Sequence, residues 1–394
     1  MISRTMINQV SNSSVIRAMF EEGKRLAVIH GAENVYDFSL GSPNVEPPET
    51  IKQAVFDILN EESPNMIHGY MNNSGYIDVR QAIAQHINRK NGLNLDENNI
   101  LMTCGAAGGL NVLLKTLLNP GDEVLTFAPY FAEYRAYVSN YDAELVVVPP
   151  DIETFEPNME ALPAMITAKT KAVIINSPNN PSGAIYSEQA IIKLAAVLEA
   201  KQKELGTSIY LISDEPYREL CYDGVQIPCV LKHYRNTFIG YSYSKSLSLP
   251  GERIGYVVSN SDMDDFDIIN QAMNTATRIL GFVNAPSLFQ RVIARCLDSE
   301  VDVNIYKRNR DLLYNHLISI GFECIKPQGA FYLFPRTPIA DDKAFAEKAK
   351  EFNILCVPGT AFACPGHFRL SYCISYEKIE KSLPAFTELM KVYR

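Results

Sequence analysis

Ile209-Tyr210-Leu211-Ile212-Ser213-Asp214-Glu215-Pro216-Tyr217 and, further on, Thr237-Phe238-Ile239-Gly240-Tyr241-Ser242-Tyr243-Ser244-Lys245 are two runs of one kind. Each is an apolar segment too short for an ordinary helix that ends abruptly in polar residues, the pattern of a strand covered on both faces. Further candidate strands lie at Ile100–Thr103, Glu123–Phe127, Ala172–Asn176 and Ile254–Val258. Between them run longer patterns. In Ser187–Leu205, Ile191, Leu194, Ala195 and Leu198 recur at i, i+3, i+4 and i+7, one apolar stripe of a helix. Strands alternating with helices predict an α/β domain built on a mostly parallel sheet flanked by helices. After about Asn284 the pattern changes to a helix (Val301–Ile320), a strand (Ala330–Phe334), a helix (Asp341–Phe352), a strand (Phe368–Tyr372) and a terminal helix, which reads as a smaller α+β domain.

The chain's 394 residues exceed one ordinary domain, and 47% hydrophobic residues supply ample core. With 36 Lys and Arg against 45 Asp and Glu, the formal charge of −9 leaves no basic field to recruit nucleic acid or anionic lipid. The eight cysteines (104, 221, 229, 296, 324, 356, 364, 373) are scattered without a Cys-x-x-Cys pair, and the six histidines form no cluster, so no metal site is expected and the thiols read as reduced. No segment resembles a signal peptide or a membrane span. A cytoplasmic protein acting on small molecules is the expectation.

In an open α/β sheet, ligands sit in the crevice outside the carboxyl ends of the strands. Four loops fall there. Thr103-Cys104-Gly105-Ala106-Ala107-Gly108-Gly109-Leu110 follows a strand and opens a helix, where small residues let backbone N–H groups approach a phosphate; a steric glycine turn is the plain alternative. Asn176-Ser177-Pro178-Asn179-Asn180-Pro181-Ser182-Gly183 reads first as turns, with Asn180 able to bond a phenolate oxygen. Asp214 at a buried strand end is expensive without a cation, for which a pyridinium nitrogen would serve; its alternative is a helix N-cap before Pro216. In the fourth loop, Ser242, Ser244 and Arg253 suit a phosphate, and the Lys245 amine can form a Schiff base with an aldehyde. Together these point to pyridoxal 5'-phosphate chemistry.

Carried by these loops in this order, the chain resembles the fold-type-I pyridoxal-phosphate aminotransferases of class I/II, the aspartate aminotransferase group, from Leu40-Gly41-Ser42-Pro43 to Phe368-Arg369-Leu370-Ser371. The resemblance implies a mixed seven-stranded sheet and three regions: an N-terminal arm (1–45) contributing to the small domain and an interface, a large cofactor domain (46–284) and a small C-terminal domain (285–394). It implies that Lys245 carries the cofactor as a Schiff base and serves as general base. Asp214 would pair with the ring nitrogen, Asn180 and Tyr217 would contact the ring oxygen, and Phe131 would stack on the ring. The phosphate would be held by the Ala106 and Ala107 backbone, Ser242, Arg253 and, across a homodimer interface, Tyr70 of His68-Gly69-Tyr70. Arg369, with the Gly41 backbone and Asn180, would bind the substrate α-carboxylate. The implied activity moves an amino group between an L-amino acid and a 2-oxo acid; a carbon–sulfur β-lyase on the same fold is the alternative.

The stretch Ile279-Leu280-Gly281-Phe282-Val283-Asn284-Ala285-Pro286 corresponds to the one in which dicarboxylate-preferring members of the family often carry a second arginine. It has none, and Arg278 lies just outside it. Side-chain recognition extending to neutral or aromatic amino acids is the resulting expectation.

Overall fold

The computed structural model describes residues 2–11 and 15–394. Seven strands form the main sheet: β1 (Ile100–Thr103), β2 (Glu123–Phe127), β3 (Glu144–Val148), β4 (Thr170–Asn176), β5 (Tyr210–Asp214), β6 (Thr237–Ser242) and β7 (Gly255–Ser259). Their spatial order is β1-β7-β6-β5-β4-β2-β3. β7 runs antiparallel to both its neighbours, β1 and β6, and every other pairing is parallel. The reversal has a chemical consequence. It brings the amino end of β7, just after Arg253, to the edge where β1, β4, β5 and β6 end, and Gly255 sits opposite Thr103 on one side and Ser242 on the other.

The inner strands are buried along nearly their whole length, because helices cover both faces of the sheet. The helix Glu188–Leu205 shows how local sequence sets an element. Ser187 caps it by accepting from the Ala190 N–H at 3.2 Å, Gly206 ends it in the left-handed conformation at φ 65°, and Ala190, Ile191, Leu194, Ala195 and Leu198 are its buried face. β3, an edge strand with one exposed and two half-buried positions, is absent from the runs picked out in the sequence: Glu144-Leu145-Val146-Val147-Val148 has neither the sharp polar terminus nor the isolation of the other runs.

The smaller unit contains a three-stranded antiparallel sheet of Tyr332–Leu333, Phe368–Ser371 and Val357–Pro358. It packs with the helices Val303–Ser319, Asp342–Lys350 and Tyr376–Lys391 around Phe322, Phe331, Phe345, Phe368 and Phe386. The N-terminal segment joins it, since Tyr36–Asp37 pairs with Ile354–Leu355 and Phe38 is in the same core. The helix Ser287–Arg295 buries Val292 and Ile293 against Ile51, Ile58 and Ile83 of the larger unit.

Candidate active site

A cavity of about 320 Å³ opens at the carboxyl edge of the sheet, between the two units. Gly41, Ala106, Ala107, Phe131, Asn180, Asp214, Tyr217, Ser242, Lys245, Arg253 and Arg369 all line it. Residues more than 300 positions apart in the chain thus converge on one space. Tyr70 is the expected site residue that does not: it stands 93% exposed on the surface of its own chain.

Lys245 lies in the single helical turn Tyr243–Ser246, where Ser242 Oγ accepts from the Ser244 N–H at 3.2 Å. Its Nζ donates to the Gly41 carbonyl at 2.7 Å and stands 5.4 Å from the centre of the Phe331 ring. Burial pushes the amine down to about 8, with the Arg253 and Arg369 charges acting the same way and the Cys373 thiol against them. The free amine is thereby more accessible at neutral pH than in an ordinary lysine. A nucleophile and proton acceptor is available without a separate base.

Asp214 ends β5 and is 4% exposed. Tyr134 Oη donates to its Oδ2 at 2.6 Å, while Oδ1 has no hydrogen-bond partner among the described residues. Burial pushes the carboxyl up to about 7; the Tyr134 bond opposes this and neighbouring Glu215 reinforces it. The side chain caps no helix. It is a buried acid short of one cationic partner.

Arg369 is 2% exposed. Its Nη1 donates to Asn180 Oδ1 at 2.9 Å and its Nη2 to the Ser39 carbonyl, with Tyr332 and Phe362 rings 4.6 and 5.0 Å from the guanidinium carbon. Nε has no partner among the described residues. Tyr332 Oη also meets Tyr217 Oη at 2.9 Å. A Cβ on Gly41 would lie 1.9 Å from that Tyr332 oxygen, so only glycine fits there.

The opposite corner is built for an anion. The helix Gly105–Leu117 opens onto the cavity with Ala106 and Ala107, and Arg253 reaches the Ser244 hydroxyl at 3.3 Å and the Cys104 carbonyl at 3.4 Å. Gly105, at φ 70°, makes room for this guanidinium: its Cβ would sit 2.5 Å from Arg253 Nη2. Backbone donors at a helix start, two serine hydroxyls and a guanidinium are a phosphate-binding set.

Sequence reasoning missed Tyr134, Asn176, Tyr137 and Tyr332. Tyr137 and Tyr332 line the cavity, and Asn176 Nδ2 bonds the Asp214 carbonyl at 2.8 Å while its Oδ1 receives the Asn180 N–H at 2.7 Å. One signal was present, for Tyr332: it stands in the apolar run Ala330–Phe334, and a tyrosine buried there needs a hydroxyl partner, which Tyr217 supplies.

Fold and site together define an enzyme of amino-group chemistry with a reactive lysine, a buried acid and an anion corner. The chain belongs to the family of class I and II aminotransferases, whose model matches residues 32–386. It is similar to the crystal structure of an aminotransferase from Eubacterium rectale, with a TM-score of 0.97, 46% identity and all of both chains covered. It is 32% identical over 356 residues to an aspartate/prephenate aminotransferase of Thermus thermophilus, 89% of each chain. It is 29% identical over 400 residues to aromatic-amino-acid aminotransferase 2 of Thermococcus litoralis, 97% of each. The expected fold and transaminase activity stand; these relatives give the β-lyase alternative no support.

Proposed function

We propose that this aminotransferase works with pyridoxal 5'-phosphate and a substrate range that includes neutral or aromatic L-amino acids. The observation that carries the cofactor reading is the unpartnered Oδ1 of buried Asp214 in the same cavity as the depressed Lys245 amine and the Arg253 corner. When bound, the cofactor supplies an aldehyde for the lysine and a protonated ring that accepts the electrons left when the substrate's α-proton departs. Asp214 holds the ring-nitrogen proton by its charge. Phe131 covers a ring face, and Asn180 and Tyr217 address the ring oxygen. The Ala106 and Ala107 N–H groups, Ser242 and Arg253 hold the phosphate.

Arg369 orients the substrate by its α-carboxylate, with Asn180 and the Gly41 backbone beside it. Lys245 exchanges its bond to the Gly41 carbonyl for work at the substrate, taking the α-proton as general base and returning it as acid. The cations that line the cavity, Lys245, Arg253 and Arg369, all have tasks in this scheme, which leaves none of them for a side-chain carboxylate. That relatives act on aspartate, prephenate and aromatic amino acids supports such breadth.

A homodimer with shared sites fits the surface. The helices Glu49–Glu61 and Pro64–His68, the segment that follows them and the start of Ile77–Asn91 expose Phe56, Leu59, Met66, Tyr70 and Ile77, apolar side chains that a second copy would cover. Tyr70 would reach the partner's phosphate corner from there. No helix among the described residues is long and apolar enough to cross a membrane, and a cytoplasmic location is the reading we adopt.

Borohydride reduction of protein loaded with pyridoxal phosphate, followed by peptide mass mapping, tests the assignment. Labelling at Lys245 and its loss with all visible absorption in Lys245→Ala are expected; label elsewhere, or a fully active Lys245→Ala, overturns it. For substrate range, loaded protein is mixed with single amino acids and conversion to the aminated cofactor is followed spectroscopically. Reaction with aspartate and glutamate alone defeats the breadth claimed here.

A further inference from the structure

We propose that Tyr134 is a positioning residue for Asp214: its hydroxyl engages one carboxylate oxygen and so selects which is left for the ligand. The inference rests on the cofactor reading above and adds a residue to it. Tyr134 is 1% exposed, and the 2.6 Å separation from Asp214 Oδ2 is in the range of a hydroxyl donating to a charged carboxylate. With Oδ2 engaged, Oδ1 remains as the unpartnered oxygen of a residue that lines the cavity.

The backbone on both sides of this bond is already fixed. Asp214 is in register with Asn176 and Gly240, and its carbonyl accepts from Asn176 Nδ2. Only its side-chain torsions remain to be set. Tyr134 begins the helix Tyr134–Ser139, its N–H bonded to the Phe131 carbonyl at 3.0 Å. Its ring stacks on Tyr130 (6.3 Å, 14°) and meets Phe131 edge-on (5.6 Å, 85°). One tyrosine therefore fixes the acid that would pair with the ring nitrogen and braces Phe131, which would stack on the ring.

A buried tyrosine needs some acceptor, so the bond could be structural only. The electrostatics separate the two roles. Burial drives Asp214 toward its neutral form and Glu215 adds to that, while the Tyr134 donor acts against both. Burial above all keeps the Tyr134 phenol protonated and a donor, and Asp214, Tyr186 and Tyr137 act in the same direction. Removing the hydroxyl must raise the pH at which Asp214 becomes charged.

The experiment titrates apoprotein with pyridoxal phosphate between pH 5.5 and about 9 and reads Kd, with melting temperature as a control for folding. For Tyr134→Phe the expected result is affinity on the order of tenfold weaker at neutral pH, with the affinity-versus-pH midpoint displaced upward. Asp214→Asn should abolish the part of the pH dependence that Tyr134→Phe displaces. If Tyr134→Phe does not accumulate as folded protein, a fluorinated tyrosine at position 134, a stronger donor of nearly equal size, must move the midpoint downward. An unchanged Kd and midpoint in a folded Tyr134→Phe, or an unmoved midpoint with the fluorinated residue, overturns the role of Tyr134 alone. Wild-type protein that takes up no pyridoxal phosphate overturns the cofactor reading and this inference with it.

Discussion

Asn180 Oδ1 accepts a hydrogen bond from Arg369 Nη1 at 2.9 Å, joining a loop at the edge of the main sheet to a strand of the smaller unit across 189 positions of sequence. The contact presents the guanidinium to the cavity already oriented, stacked on Tyr332 and anchored to the Ser39 carbonyl. A lysine would keep the charge but not the planar two-pronged geometry. Arg369→Lys should raise KM for the amino acid about 10- to 100-fold with a smaller change in kcat, as steady-state kinetics would read. A fall in kcat at unchanged KM would show that the arginine does not bind substrate.

Gly41 and Tyr332 are matched by shape. An alanine Cβ at position 41 would lie 1.9 Å from the tyrosine oxygen and 2.8 Å from the ring carbon that bears it. Gly41→Ala should therefore displace Tyr332, disturb Arg369 and Tyr217 together, and raise KM about tenfold. Tyr332→Phe removes the closer of the two clashes, so the double variant should recover part of the loss. A double-mutant cycle that is strictly additive would separate the two residues.

The buried acid sets a pH dependence in the apoprotein. Asp214 is raised to about 7 from an ordinary carboxylate value, so between those values the folded chain holds a proton that the unfolded chain has released. Stability from this group is complete below the unfolded value and is lost as pH rises through about 7. Asp214→Asn has no such proton to lose. Its melting temperature relative to wild-type apoprotein should climb as pH rises from about 5 to about 8, and a constant difference across that range would contradict the assignment. Turnover of the same variant should fall by orders of magnitude, because an amide holds no proton on a ring nitrogen.

Tyr70, an aromatic side chain 93% exposed on its own chain, should be covered in solution. Light scattering is expected to give twice the mass of one chain, and Tyr70→Phe should weaken cofactor binding several-fold while leaving the dimer intact. A fully active monomer would remove the shared site.

Local sequence determined the strand cores and the residues at their ends. An apolar run closed by Asp214, or by Ser242 through Lys245, is fully specified by neighbours along the chain, and alternation with helices such as Glu188–Leu205 puts such ends on one edge of a parallel sheet. The resemblance then gave those residues roles, and all but Tyr70 line one cavity. The edge strand Glu144–Val148 escaped because it is only half covered and lacks a polar terminus. What tertiary structure alone decided is which polar atom answers which. Tyr134 belongs to Asp214, Tyr332 to Tyr217, Asn180 to Arg369 and the Gly41 carbonyl to Lys245. These partners lie 80 to 204 positions apart, and no periodicity or spacing relates them. They are selected by the cost of burying a hydrogen-bonding group without a partner, which acts only after the two units have closed over the sheet edge.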